Sequence, residues 1–233
     1  MSRYVPQRKI YLALFHKYYT RAKKDINMPS EETSLADRVE ELRAELTQTD
    51  TRQIATQTGA TYKSNGDGTA NLHLTIWGKE AFVSDQDYIA KDLKTNAPLD
   101  FLTQAFLAYY FHDSKGSPPE DGWISFTELP SGQFYNSAFQ GYTSKELLRH
   151  FESDYQNFRE AAQKIGGVPV PFAAAAYKIQ VFPRVAVLVA CWEGDEEFPP
   201  SYRILFNSGI AHHLPTEVCA ILGEVVTKRL LKD

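Results

Sequence analysis

Four carboxylates, Glu193, Asp195, Glu196 and Glu197, crowd into five positions of the run Trp192-Glu193-Gly194-Asp195-Glu196-Glu197-Phe198-Pro199-Pro200. Like charges this close repel, so the spacing predicts a raised pKa on at least one of them unless a cation relieves it. A hard divalent ion such as Mg²⁺ or Ca²⁺ would do so, and so would pairing with Arg184 or Arg203. The plainer alternative is an acidic turn in water. Against it stand Trp192 and Phe198, aromatic flanks that a solvated turn does not ordinarily carry.

His212 and His213 follow, just ahead of the C-terminal helical pattern. Adjacent residues of an extended segment point in different directions, so at most one faces a shared site. One imidazole with two carboxylates would suit a transition metal, and one alone an axial position on a tetrapyrrole iron or cobalt. The structural alternative is a histidine near a helix N-terminus held by a backbone hydrogen bond. Nucleophile signatures are missing: no Gly-x-Ser-x-Gly, His-Glu-x-x-His, phosphate-binding loop or dinucleotide fingerprint occurs. Cys191 sits in an apolar run where a thiol pKa rises. Cys219 falls near the start of a helix, whose dipole lowers it, making Cys219 the better reactive candidate, although filler is the commoner role for both.

A third group lies in residues 113–141, where Gly and Pro punctuate Trp123, Phe126, Phe134, Tyr135 and Phe139. These rings either plug the core from its edge or line a pocket for a flat ligand.

The elements that must position these groups are legible as periodicities. Leu35, Val39, Leu42 and Leu46 repeat at 4, 3 and 4 residues, a narrow helical seam opened by a Ser34/Asp37 capping pattern and expected to pack on a preceding helix. A short helix over 51–58 stops at Gly59. Residues 60–84 switch to period two, with Asn65-Gly66 supplying the positive φ angles of a tight hairpin turn, a strand over 72–77 and another over 81–84. A helix over 98–112 follows, then short strands at 123–126 and 133–135, and helical patterns from Ser144 to about Lys164. Strands at 177–181, 185–192 and 202–206 precede an amphipathic helix over 216–231; the strand at 185–192 is apolar throughout, the pattern of a central strand covered on both faces. This layout predicts an α+β fold, a mixed or antiparallel sheet flanked by helices, with an N-terminal helical segment over 1–59 and the α+β domain over 60–233.

Charge is uneven. The chain carries −4 overall, yet residues 1–24 hold seven basic residues and no acid, leaving −11 on the rest. Over 7–24, Tyr11, Leu14, Phe15, Tyr18 and Ala22 share one helical face and Lys17, Arg21 and Lys24 the opposite one. Such a basic amphipathic helix docks on an anionic surface or a protein partner, or else folds back on its own acidic body. Nucleic acid is not the partner expected of this chain. Two cysteines and no Asn-x-Ser/Thr sequon point to a reducing, cytoplasmic compartment, and the longest apolar run is less than half of a membrane span.

Phe182-Pro183-Arg184, the apolar strand, the Trp192 to Pro199 run, Ile204-Leu205-Phe206 and Thr216-Glu217 resemble a bacterial and archaeal family known as domain of unknown function 3786. Upstream, Trp123-Ile124-Ser125-Phe126, Glu128-Leu129-Pro130-Ser131-Gly132, Phe139-Gln140 and Gly166-Gly167 match it in order, so the resemblance spans roughly 72–228. It implies an association with iron–sulfur or corrinoid metabolism and no established reaction. Some members carry Cys-rich modules, which this chain lacks; Asn207 stands where the family favours Asp, and Ala174-Ala175 where a Gly-Asp pair is common.

The leading expectation is a non-catalytic cofactor-binding or accessory protein, its pocket framed by Trp123, Phe126, Tyr135, Phe139, Trp192, Asp195, Glu196, Glu197, Phe198, His212 and His213, and its ligand a tetrapyrrole of haem or corrinoid type. The alternatives are an enzyme using Asp195, Glu196 and Glu197 with or without a divalent metal, and an assembly factor docking through its basic helix.

Overall fold

A computed structural model describes residues 35–117 and 122–232. The basic helix at 7–24, the connector after it and Ser34 lie outside the described residues. Helix α1 (Leu35–Leu46) buries all four seam residues. Their cover is α3 (Phe101–Asp113), through Ala105, Ala108, Phe101 and Tyr109. Helix α2 (Thr51–Thr58) begins on Asp50, whose carboxylate accepts from the Arg52 N–H, and ends at Gly59 with φ of 73°. That glycine also lies close to the next sheet: an added Cβ would come within 3.2 Å of Pro183.

Two antiparallel sheets follow. The first runs in the order β1 (Thr61–Ser64), β2 (Ala70–Ile76), β3 (Lys79–Ser84), β4 (Ala90–Asp92). The expected hairpin forms, but its loop has five residues rather than two, with positive φ at both Gly66 and Gly68 and the Asn65 N–H donating to the Thr69 carbonyl at 3.0 Å. The two-residue turn lies one hairpin later, at Trp77 (φ 51°) and Gly78 (φ 75°), so Trp77 leaves the strand that its sequence continues. Its ring is instead covered by the Arg229 guanidinium at 3.8 Å, a cation–π contact.

The second sheet has the order β5 (Trp123–Ile124), β9 (Ser201–Asn207), β8 (Val185–Trp192), β7 (Ala175–Phe182), β6 (Val168–Pro169). Strand β8 is central, as its unbroken apolar sequence requires, with Val189 facing Tyr177 on one side and Ile204 on the other. Helices α4 (Gly132–Tyr142), α5 (Ser144–Phe151), α6 (Tyr155–Lys164) and α7 (Thr216–Leu230) bury their apolar faces in one core shared with both sheets and with α2. The fold is therefore α+β with antiparallel sheets.

One sequence expectation changes here. Residues 133–135 are helical, because Tyr135, Phe139 and Tyr142 repeat at 4 and 3 and so fall on one face of α4. The helical patterns of 144–164 form two helices, broken at Glu152 (φ 45°) and restarted by Asp154, whose side chain accepts from the Asn157 N–H at 3.0 Å. Gly132 opens α4 where no side chain fits: a Cβ there would lie 1.9 Å from the Phe126 carbonyl oxygen.

Gly223 in α7 is the seat of the Phe139 ring; an added Cβ would lie 2.6 Å from its Cε2. Helix propensity alone would make Gly223→Ala stabilising by about 1 kcal/mol. Overpacking against a ring fixed by Phe126 and Phe206 reverses the sign. The variant is expected to lose about 2 kcal/mol in urea denaturation.

Candidate functional site

The residues singled out by sequence separate into three places. Phe126 and Phe139 are core: both are fully buried and stack at 4.2 Å with 9° between their planes. Tyr135 packs against the same core from its edge. Trp123 and Trp192 lie on the far face of the second sheet, against a small cluster of Ala176, Leu188, Ala190 and Leu205. Trp192 holds the Arg203 guanidinium 5.3 Å above its ring and meets Phe172 edge-on.

The acidic turn begins where β8 ends and is built by its own carboxylates. Asp195 Oδ1 accepts from the Glu197 and Phe198 N–H groups at 2.9 and 2.8 Å, and Asp195 donates its own N–H to the Phe198 carbonyl. The Gly194 N–H donates to the Tyr155 hydroxyl, and Glu193 pairs with Arg159 at 3.1 Å. Arg159 thus takes the place expected of Arg184, which sits at the opposite end of β8. Glu196, Glu197 and Phe198 are exposed. Among the described residues, no three His, Cys, Asp or Glu side chains are placed to hold a metal ion.

His212 and His213 are at the Arg184 end. Seven residue steps along β8 separate that end from Trp192, about 23 Å, so the histidines and the acidic turn do not share a cavity, and Phe126 and Phe139 are closed in the core. His212 is exposed at the end of a short 3₁₀ helix, Ser208–His212, and its carbonyl accepts from the Lys115 N–H. His213 is fully buried, with Nδ1 3.1 Å from the Ser114 hydroxyl and its ring 6.0 Å from that of Tyr110. Burial, then the charges of Arg184 and His212, push its pKa down to about 4, the Ser117 backbone opposing them, so the imidazole is neutral at pH 7. Both thiols are buried, and burial raises both. For Cys219 this reverses the effect expected from the helix dipole.

Beside the histidines is a junction that sequence reading missed. Arg184 donates from Nη1 to the Ser117 carbonyl at 2.8 Å and from Nη2 to the Thr56 carbonyl at 3.0 Å. Its backbone N–H donates to the Tyr110 hydroxyl, which donates in turn to the Thr58 carbonyl. Asn207 adds a bridge, accepting from the Ala186 N–H and donating to the Arg184 carbonyl. A buried asparagine here is a structural clasp between β8 and β9, which gives Asn207 a role of its own. The signal available in the sequence was the arginine immediately after Phe182-Pro183, at the mouth of a hairpin.

Next to this junction opens a cleft of about 850 Å³ between the end of α1, helix α2 and the end of α3. Leu46, Phe111, Leu214 and Pro215 line it, the first three almost fully buried, while Gln48, Thr49, Gln53 and Gln57 supply a wall of neutral hydrogen-bonding groups. At its edge His112 donates from Nδ1 to Asp113 at 2.6 Å and from Nε2 to Glu45 at 2.8 Å. Burial works against the charged imidazole, but the hydrogen bonds to Asp113 and Glu45 outweigh it and raise its pKa. The partner of His112, Glu45, is 67 residues away, a pairing no local pattern reveals.

No helix among the described residues is long and apolar enough to cross a membrane. Residues 50–229 match a family described as Domain of unknown function (DUF3786). No curated protein and no solved structure matches this chain.

Proposed function

From the premise that the chain belongs to the DUF3786 family, we propose that it is a non-catalytic cofactor-binding or accessory protein whose ligand seat is the cleft beside His112. The observation that carries this reading is the cleft itself, which has the volume of a cofactor site and joins apolar surface to neutral donors and acceptors. The groups nearest it suit holding better than cleaving. His112 has both nitrogens engaged, Ser114 is buried against a neutral histidine, and both thiols are buried. A flat tetrapyrrole of haem or corrinoid type is the ligand class favoured, with exposed His212, next to the cleft residue Ala211, as the free imidazole for an axial position.

The test is an anaerobic titration with haem and with a corrinoid, followed by absorbance. Saturable one-to-one binding is expected, with the ligand-field change lost in His212→Ala and binding weakened by Gln53→Ala on the exposed wall of the cleft. Absence of a spectral change with both compounds overturns the tetrapyrrole assignment. The enzyme reading of Asp195, Glu196 and Glu197 has less support, since Asp195 is occupied in forming the turn and the other two face solvent.

A further inference from the structure

A second space opens at the far end of α3 from the cleft, between the first turns of that helix, the β2–β3 turn and the last turns of α7. Asp100 lines one and His112 the other, twelve helical steps or about 18 Å apart. The second space holds about 260 Å³, just under the usual range of drug-sized ligand sites, so it suits a fragment-sized molecule. Its lining joins Phe106 and Val225, both almost fully buried, to Trp77 and Leu102, which stay half-buried and offer apolar surface.

Trp77 is held there in a strained conformation. It takes φ 51° at the first position of a two-residue turn that Asn, Asp or Gly ordinarily fills. Its N–H donates to the Val181 carbonyl at 3.0 Å, tying the turn to β7, and the Arg229 guanidinium stands 3.8 Å over its ring. Such strain persists only where the surroundings fix it, and ligand seats are one place it gathers.

Charge defines the ligand. Lys228, Arg229 and Lys232 all line the space from α7. The negative end of that helix favours basic residues, which accounts for their type but not for the hollow they share with a tryptophan. Glu224 balances Lys228, its neighbour one turn back. Asp100 is the only carboxylate in the lining, and it caps α3: Oδ1 accepts from the Thr103 N–H at 3.0 Å and Oδ2 from the Thr103 hydroxyl at 2.7 Å. Set against Arg229 and Lys232, it leaves one positive charge in excess among the described residues of a chain that carries −4 overall. We propose that this space binds a small monoanion, an aromatic carboxylate whose ring lies against Trp77 and Leu102 and whose carboxylate meets Arg229 and Lys232.

Titration of the native chain with benzoate, followed by tryptophan emission at constant ionic strength, tests the assignment. A saturable change is expected that disappears in Trp77→Phe, which separates it from collisional quenching of Trp123 and Trp192. Benzamide, the neutral isostere, should bind at least about tenfold more weakly, because it loses the charge-assisted hydrogen bonds. Arg229→Gln should weaken benzoate about tenfold. Lys232→Gln, at an exposed position, should weaken it about threefold and covers the case in which Arg229→Gln disturbs the Trp77 ring. Gln53→Ala, on the wall of the cleft, should leave benzoate binding unchanged, so the result is independent of any ligand there. A response that rises without saturating, equal affinity for benzamide, or undiminished binding in Lys232→Gln would each overturn the proposal.

Discussion

Phe139→Ala is expected to destabilise the protein by about 4 kcal/mol, the cost of removing a fully buried aromatic ring whose neighbours cannot close the gap. For a chain of this length that lowers the melting temperature by roughly 8–16 °C. The ring is held on every side: Phe126 stacks on it at 4.2 Å, Tyr142 meets it edge-on at 5.7 Å, Phe206 lies at 6.0 Å, and Gly223 has no side chain where the ring edge passes. Helices α4 and α7 and strand β9 all meet there, so relaxation of one element is resisted by the others. The same substitution should leave the affinity of the folded protein for a ligand in the cleft unchanged, because the ring reaches neither the cleft nor solvent. A variant with native thermal stability and weakened ring binding would return Phe139 to a pocket and overturn its assignment to the core.

The contrast between Phe139 and the segment around it shows what the sequence made legible. Elements with one dominant periodicity were read correctly: the α1 seam, α2 with its Gly59 stop, the two-sided strand β8 and the amphipathic α7. Where Gly and Pro interrupt the pattern, Gly132 and Gly141 mask the 4-3 spacing of Tyr135, Phe139 and Tyr142, and the start of a helix looks like a short strand. The candidate site was less legible, for a physical reason. Acidic clusters and paired histidines are local features, whereas convergence is a property of topology. Strand β8 sends the acidic turn and the histidines to opposite ends, and no residue type along it announces that separation. The cleft likewise depends on Glu45 meeting His112 and on Arg184 meeting Thr56, contacts between residues 67 and 128 positions apart.

Acid should weaken the fold through His213. Its folded pKa of about 4 lies below the ordinary 6.5 of an unfolded imidazole, so the unfolded chain takes up a proton that the native protein refuses. The associated stability is fully present above pH 6.5 and is lost as pH falls toward 4, a loss of about 3 kcal/mol from this residue alone. His112 works in the opposite sense. Its folded pKa is raised, so its contribution is present below 6.5 and disappears as pH climbs through the folded value. The lowered carboxylates of Asp67, Asp92 and Glu128 act only in stronger acid, below their unfolded values near 4. Stability should therefore peak near neutrality, with its acid side steepest between pH 6.5 and 4. Urea denaturation across that interval is expected to show the slope flattened in His213→Gln, which keeps a polar group near Ser114 without a proton to gain. In His112→Gln the slope below pH 6.5 should stay as in the native chain, because the contribution of His112 is already complete there, and the difference should appear only as pH rises above 6.5. Identical acid slopes in the native chain and His213→Gln would mean that protonation of this buried ring is not what the fold resists.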